Sequence, residues 1–180
     1  MTMRTTASCK ISKQGVTLNE KLVFSFEKKD DTLESIYNAF EIQYPKFFKM
    51  DEVSKLCFLT TELLLKDTDI NAIASESRSV LIETKEGCIK ADEDYFESMQ
   101  IAPSPAQFVY TLPNVMIGEI CIRHKIKGEN YCLVTDNFDF VKQLNLIDAL
   151  LPERARICIH GWVNVSLKSF ASELYLSYVD

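Results

Sequence analysis

From residue 51 onward, short apolar runs of strand length alternate with longer segments in which apolar residues recur at helical spacing. The strand-like runs are residues 79–84 (SVLIET), 131–135 (YCLVT), 156–165 (RICIHGWVNV) and 173–179 (ELYLSYV). Parallel strands need a crossover between them, usually a helix, so this rhythm predicts parallel pairing. No helical pattern separates the last two runs, which predicts that residues 173–179 run antiparallel to their neighbours. We expect residues 1–180 to form one three-layer α/β/α domain around a five-stranded mixed sheet.

Residues 51–66 (DEVSKLCFLTTELLLK) give the clearest helical pattern. Val53, Leu56 and Cys57 begin an i, i+3, i+4 spacing, and the apolar face is wide enough to predict burial on more than one side. The first forty residues are less regular. Residues 8–11 and 21–26 resemble strands around a Gln14-Gly15 turn, and either Asp31 or Thr32 could cap a following helix.

Composition narrows the function classes. The chain has 180 residues, a formal charge of −6 and a pI near 5.1, which disfavours binding to a phosphate backbone. No apolar stretch is long enough to span a bilayer, and residues 1–8 do not form a signal peptide. We expect no membrane span, no nucleic-acid partner and a cytoplasmic location.

The candidate catalytic side chains have structural interpretations as well. The six cysteines show neither a C-x-x-C motif nor the spacing of a metal site, which predicts that the chain binds no metal and no cofactor. We expect their thiols to be buried and reduced, with none at the start of a helix. The cysteines are Cys9, Cys57, Cys88, Cys121, Cys132 and Cys158. His160 alternates with apolar neighbours and is interpreted as a structural, hydrogen-bonded imidazole; a general base is the alternative. His124, in Arg-His-Lys, is interpreted as part of a solvated helix end. The acids of residues 92–94 fit the start of a short helix and carry no functional weight.

Residues 104–128 (SPAQFVYTLPNVMIGEICIRHKIKG) resemble β-ketoacyl synthases of the thiolase-like superfamily. That family has a proline-rich loop, a Leu-Pro-Asn-like turn, a helix with a small residue, and a Gly-Pro pair that opens a strand, where this chain has Gly128-Glu129. The matching positions are Pro105, Phe108, Pro113, Asn114, Gly118 and Gly128, with Gly161 in a later strand. The resemblance extends over most of residues 45–180. Together with the strand rhythm, it implies the strand order 131–135, 79–84, 156–165, 173–179, then an N-terminal strand.

The resemblance also implies that catalytic groups are missing. In the family, a nucleophilic Cys stands at the start of the helix after the third strand, and counting from Gly128 places that position at Asn137. A slip of one residue gives Asp136 or Phe138, and Cys132 lies five residues too early. The family's two catalytic histidines belong to a second half that would begin about where this chain ends. We therefore expect no catalytic residue here.

The expected function is a non-catalytic, chain-length-factor-like subunit in type II fatty acid or polyketide (aryl-polyene-type) biosynthesis. Its partner would be a full-length ketosynthase-like subunit, with self-association as the alternative and an acyl carrier protein as a further partner. By the resemblance, residues 131–135 would form the sheet edge that meets the partner, and pairing there would remove the liability of an exposed edge strand. Two alternatives stay open: an active synthase or acyl transferase with a non-standard nucleophile such as Cys132, and a stand-alone acyl or carrier-protein binder.

Overall fold

A seven-stranded mixed sheet with helices on both faces forms the body of the protein. The computed structural model describes residues 3–27 and 32–179. The strands are β1 (Met3–Ser12), β2 (Gly15–Leu18), β3 (Lys21–Phe24), β4 (Arg78–Thr84), β5 (Asn130–Val134), β6 (Ile157–Val165) and β7 (Phe170–Val179). The helices are α1 (Leu33–Ala39), α2 (Glu52–Leu64), α3 (Ile89–Ser98), α4 (Pro105–Val109), α5 (Val115–His124) and α6 (Phe140–Leu150), with 3₁₀ turns at Pro45–Lys49, Ile70–Ala72 and Ser75–Ser77.

The sheet order is β3-β2-β1-β7-β6-β4-β5. Strand β4 pairs in parallel with both β5 and β6, and β7 pairs antiparallel with both β6 and β1. The predicted order of the four later strands and the N-terminal strand is therefore confirmed, as is the antiparallel direction of the last strand.

The prediction of five strands is wrong, because the first 24 residues contribute three strands instead of one. Strand β1 pairs with β7 along its whole length. It also pairs antiparallel with β2, which in turn pairs antiparallel with β3. The first half of β1 shows no apolar alternation, since Thr5 and Thr6 hydrogen-bond to Ser177 and to the Leu176 carbonyl of β7. Polar ladder contacts thus extend β1 to Met3, beyond the residues 8–11 that the sequence predicts as a strand.

Helices α1, α2 and α5 cover one face of the sheet, where they share a core with alternate residues of the strands, such as Val80 and Ile159. Helix α2 is buried along most of its length, as predicted, and its N-cap Asp51 accepts a hydrogen bond from the Ser54 amide. Helix α6 covers the other face, where Ile147 and Leu151 pack on Leu81 and Cys158. The three predicted layers are present.

Other helix boundaries differ from the sequence prediction by a few residues. Thr32 is the N-cap of α1, whereas the alternative cap, Asp31, lies outside the described residues. Helix α3 begins at Ile89 rather than at residue 92.

Within the part of the chain that is described, no helix is both long and apolar enough to cross a membrane.

Candidate functional site

The turn between β5 and α6 holds the position that the resemblance assigns to a nucleophile. Asp136 and Asn137 are exposed, and Phe138 is half-buried with its ring centroid 6.3 Å from that of Trp162. Asp139 is the N-cap of α6, because its carboxylate accepts a hydrogen bond from the Lys142 amide at 3.0 Å. Asn137 therefore stands two residues before the cap, and residues 136–139 around it carry neither a thiol nor a hydroxyl.

A buried carboxylate anchors both ends of this turn. Glu83, on the central strand β4, accepts a hydrogen bond from the Thr135 hydroxyl at 2.9 Å and one from the Gln143 side-chain amide at 3.0 Å. Glu83 is 6% exposed and Gln143 is fully buried. One acidic side chain in the sheet thus fixes the chain before Asn137 and the first turn of α6 after it.

The same network continues to His160, and its hydrogen-bond directions follow from the donors available. The Gln143 amide nitrogen donates to Glu83 and to the Gly161 carbonyl, both at 3.0 Å, so the Gln143 oxygen accepts from Nδ1–H of His160 at 2.9 Å. Nε2 of His160 then accepts from the Ser177 hydroxyl at 2.9 Å. Burial lowers the pKa of His160 to about 4, which keeps the ring neutral at pH 7. The interpretation of His160 as a structural imidazole fits this geometry.

His124 is also engaged, in an ion cluster at the end of α5. Its Nε2 lies 2.9 Å from Glu62 Oε1, and Arg123 donates to both Glu62 oxygens at 3.0 Å. Burial opposes ionisation of Glu62, but the hydrogen bonds from His124 and Arg123 outweigh it and lower the pKa of Glu62 to about 2. These contacts connect α5 with α2, and the side chain of His124 is paired with Glu62 in a structural role.

The thiols interpreted as core residues are poor nucleophiles. Cys57 and Cys158 are fully buried, and burial raises the pKa of each thiol. Cys132 is half-buried against the core on the α2 side of the sheet, and burial raises the pKa of its thiol to about 11. Cys121 behaves in the same way, with a pKa raised to about 11.

One expectation about the thiols is wrong: Cys88 does stand at the start of a helix, as the N-cap of α3. Sequence analysis placed the start of α3 at residue 92, so Cys88 fell in the preceding loop. The signal was the Gly-Cys pair three residues after the end of the buried strand β4, since Gly87 has φ +58° and turns the chain into the helix. Burial, with a further contribution from Asp92, raises the pKa of the Cys88 thiol to about 12, so the helix position does not yield a thiolate.

Cys88 lines a cavity of about 280 Å³ at the carboxyl ends of β4 and β6. Residues 49–53 at the start of α2, Gly87, the first half of α3, and Val165 at the end of β6 form its walls. The connection after β4 runs over one sheet face and the connection after β5 over the other, so β4 and β6 flank the switch point where open α/β sheets commonly bind ligands. The cavity is therefore a candidate site for a small molecule.

The motif residues of the resemblance form separate structural features rather than one site. Pro105 is the first residue of α4, Phe108 is exposed on it, and Asn114 precedes α5. Pro113 packs beside Gly87, where an added Cβ would lie 3.1 Å from Pro113 Cγ.

The three motif glycines differ in what they require. At Gly128 an added Cβ would lie 2.3 Å from the Arg78 carbonyl oxygen, and at Gly161, with φ +145°, 2.0 Å from that of Glu173. At Gly118, inside α5, an added Cβ would meet nothing within 4 Å. Close backbone approach therefore explains Gly128 and Gly161 but not Gly118.

Strand β5 forms one edge of the sheet. Its neighbours in the chain, Glu129 and Thr135, direct their backbone hydrogen bonds to β4. Because backbone groups alternate in direction along a strand, those of Asn130, Cys132 and Val134 point to the open side. Val134 is 67% exposed. The edge predicted from residues 131–135 is therefore present and carries unpaired ladder groups.

Comparisons with known proteins show similarity at the level of the fold. No known family profile and no curated protein matches the sequence. Among solved structures, one similar chain belongs to the complex of a ketosynthase with its chain length factor from Xenorhabdus doucetiae, at a TM-score of 0.63 and 14% identity over 100% of this chain and 80% of that one. Another belongs to a type II PKS acyl-carrier protein in complex with its ketosynthase bound to the hexaketide, at a TM-score of 0.72 and 11% identity over 98% of this chain and 62% of that one. The chain thus has the ketosynthase-like fold that the resemblance implied, and it spans about three fifths of the second neighbour.

Proposed function

We propose that this chain is a non-catalytic, ketosynthase-like subunit that acts as the partner of an active ketosynthase, in the manner of a chain length factor. The observation that carries the proposal is the turn between β5 and α6. Its residues 136–139 provide no thiol and no hydroxyl at or beside Asn137. Condensation needs a thiolate or an equivalent group to hold the growing acyl chain.

The other reactive groups support the same conclusion. Cys132 is half-buried with a raised pKa, and His160 is neutral, buried and hydrogen-bonded through both ring nitrogens. A general base or enolate stabiliser must reach the reacting atoms. His160 instead connects β6 with β7 and α6. These groups serve the fold rather than a reaction.

The open edge of β5 supports the role of a partner subunit. A strand edge with outward-pointing amide and carbonyl groups favours pairing with another chain. The two solved neighbours were each determined as complexes of a ketosynthase with a second protein. We place the pairing surface at β5, the acyl carrier protein as a further partner of the pair, and the complex in the cytoplasm, where the free thiols would stay reduced.

A second candidate is a stand-alone acyl or carrier-protein binder, which the cavity beside Cys88 favours. It differs from the first in needing no ketosynthase. Saturable binding of an acyl-carrier protein to the isolated chain, lost when Ala91 at the cavity is replaced by Trp, would support this alternative.

The absence of independent condensation is tested with purified protein, acyl-carrier protein and malonyl-carrier protein. We expect no ketoacyl product from the chain alone. The variant Asn137→Cys should become slowly acylated without condensing, because a thiol alone does not supply enolate stabilisation. Turnover by the unmodified chain that disappears in Cys132→Ala and persists in Cys121→Ala would contradict the proposal and favour an active enzyme.

A further inference from the structure

Helices α3 and α4 expose an unusual amount of apolar surface. Half of the exposed large apolar side chains in the described part of the chain lie between residues 89 and 112. Ile101 is 93% exposed, Phe96 63% and Phe108 52%. The α3–α4 surface consists of Phe96, Met99, Ile101, Phe108, Val109 and Leu112.

These side chains lie on, or directly after, two helices that contact each other. The ring centroids of Tyr95 on α3 and Phe108 on α4 lie 5.5 Å apart. Neither helix contains a fully buried residue, so the segment packs on the body without using these side chains for the core. Contiguous apolar surface of this kind marks an interaction site in a folded protein.

The charge along helix α3 is mostly acidic, since Lys90 is the one basic residue among Ile89–Ser98. The sequence from residue 91 to residue 122 contains no Lys, Arg or His. It contains Asp92, Glu93, Asp94 and Glu97 on α3. It also contains Glu119 on α5, which is buried and forms an ion pair with Lys46. The α3–α4 surface is therefore apolar with an acidic border along α3.

We propose that the α3–α4 surface docks a protein partner whose contact face is apolar and bordered by Lys and Arg. Opposite charges at the border steer association and select the partner, while the apolar centre supplies the affinity. A second copy of this chain fits poorly, because an isologous contact would bring two acidic borders into one interface. The inference does not depend on the proposed function, since this surface lies on different elements from the β5 edge.

The test uses a defined probe: a labelled amphipathic helical peptide of about 14 residues, roughly four turns, made of Leu and Lys, beside a matched peptide of Leu and Glu. By fluorescence anisotropy the Lys peptide should bind and the Glu peptide should not, and added salt should weaken binding. The double variants Phe96→Ser/Ile101→Ser and Glu93→Lys/Glu97→Lys should each weaken binding about tenfold.

Matched controls separate this surface from general acidity and stickiness. Glu153→Lys/Asp67→Lys changes the net charge by the same amount elsewhere, and Val141→Ser/Leu167→Ser removes exposed apolar side chains elsewhere; both should bind like the unmodified chain. Circular dichroism verifies folding of each variant. Equal binding of the two peptides, or equal loss in the controls, would overturn the proposal. So would a concentration-dependent dimer, or binding to phosphatidylcholine–phosphatidylglycerol vesicles, that Phe96→Ser/Ile101→Ser abolishes.

Discussion

His160 shows how a single buried residue couples this fold to pH. Its ring lies between Gln143 and Ser177 and is fully buried, so the protonated form is disfavoured and its pKa falls to about 4. The unfolded chain has an ordinary histidine pKa near 6.5 and binds more protons between these two values. The stability contributed by neutral His160 is therefore complete above about pH 6.5 and is lost as the pH falls toward 4.

We expect the substitution His160→Gln to reduce this pH dependence. Between pH 6.5 and pH 4 the unmodified chain should lose about 3 kcal/mol more unfolding free energy than the variant, as a shift of about 2.5 pKa units implies. Urea unfolding at a series of pH values measures the difference. Parallel pH profiles for the two proteins would show that His160 does not titrate as its burial requires.

The thiols give a second prediction at this scale. Cys57 and Cys158 are fully buried and should react slowly with a thiol reagent in the native protein and rapidly after unfolding. Cys121, half-buried with a pKa raised to about 11, should also react slowly, though ahead of the other two. Mass spectrometry of time-resolved labelling gives the rate at each site. Fast native labelling of Cys57 or Cys158 would contradict the interpretation of these thiols as core residues.

At the scale of elements, β6 and β7 approach so closely that only glycine fits at one position. Gly161 combines φ +145° with a path that would place an added Cβ 2.0 Å from the Glu173 carbonyl oxygen. Gly118 lies in the interior of α5 with open space around it. The sequence resemblance treats these two glycines alike, whereas the structure separates them.

We therefore expect opposite results from two matched substitutions. Gly161→Ala should destabilise the protein by more than about 2 kcal/mol, because strand β6 or β7 must move. Gly118→Ala should be neutral or stabilising by up to about 1 kcal/mol, because alanine favours a helix interior. Thermal and denaturant unfolding of both variants gives the comparison, and a strong loss of stability in Gly118→Ala would show that its position has a packing role.

The elements that were predictable from sequence are those that bury apolar residues at regular spacing. Helix α2 and strands β4 to β7 follow from such spacing, and so does their order once the resemblance is added. Residues 8–11 and 21–26 resembled strands and lie in β1 and β3, whereas the short strand β2 and the first half of β1 were missed. The first half of β1 is held to β7 by polar contacts of Thr5 and Thr6, which give no apolar spacing. Glu83 and Gln143, which anchor the turn at Asn137, were missed because an acid inside an apolar strand gives no local signal of its partner 60 residues away.

At the scale of the whole molecule, the sheet ends in two edge strands, β5 and β3. Strand β5 ends the sheet beside the turn at Asn137, and β3 ends it on the far side of β1. Each carries an exposed apolar side chain, Val134 on β5 at 67% exposure and Leu22 on β3 at 59%. A partner that adds to the sheet at β5 would lie next to the turn at Asn137, where the resemblance to ketosynthases places their nucleophile. The two edges therefore provide a matched pair of positions for testing where the partner binds.

The most direct test is co-purification of the tagged chain, co-expressed with the proteins encoded beside its gene. We expect a stable complex with a ketosynthase that keeps its catalytic Cys and histidines. The complex should be lost in Val134→Lys, since a charge blocks addition of a strand at β5, and retained in Leu22→Lys at the opposite edge. Absence of any ketosynthase complex, or a complex that Leu22→Lys disrupts and Val134→Lys leaves intact, would contradict the assignment of this chain as a partner subunit that pairs through β5.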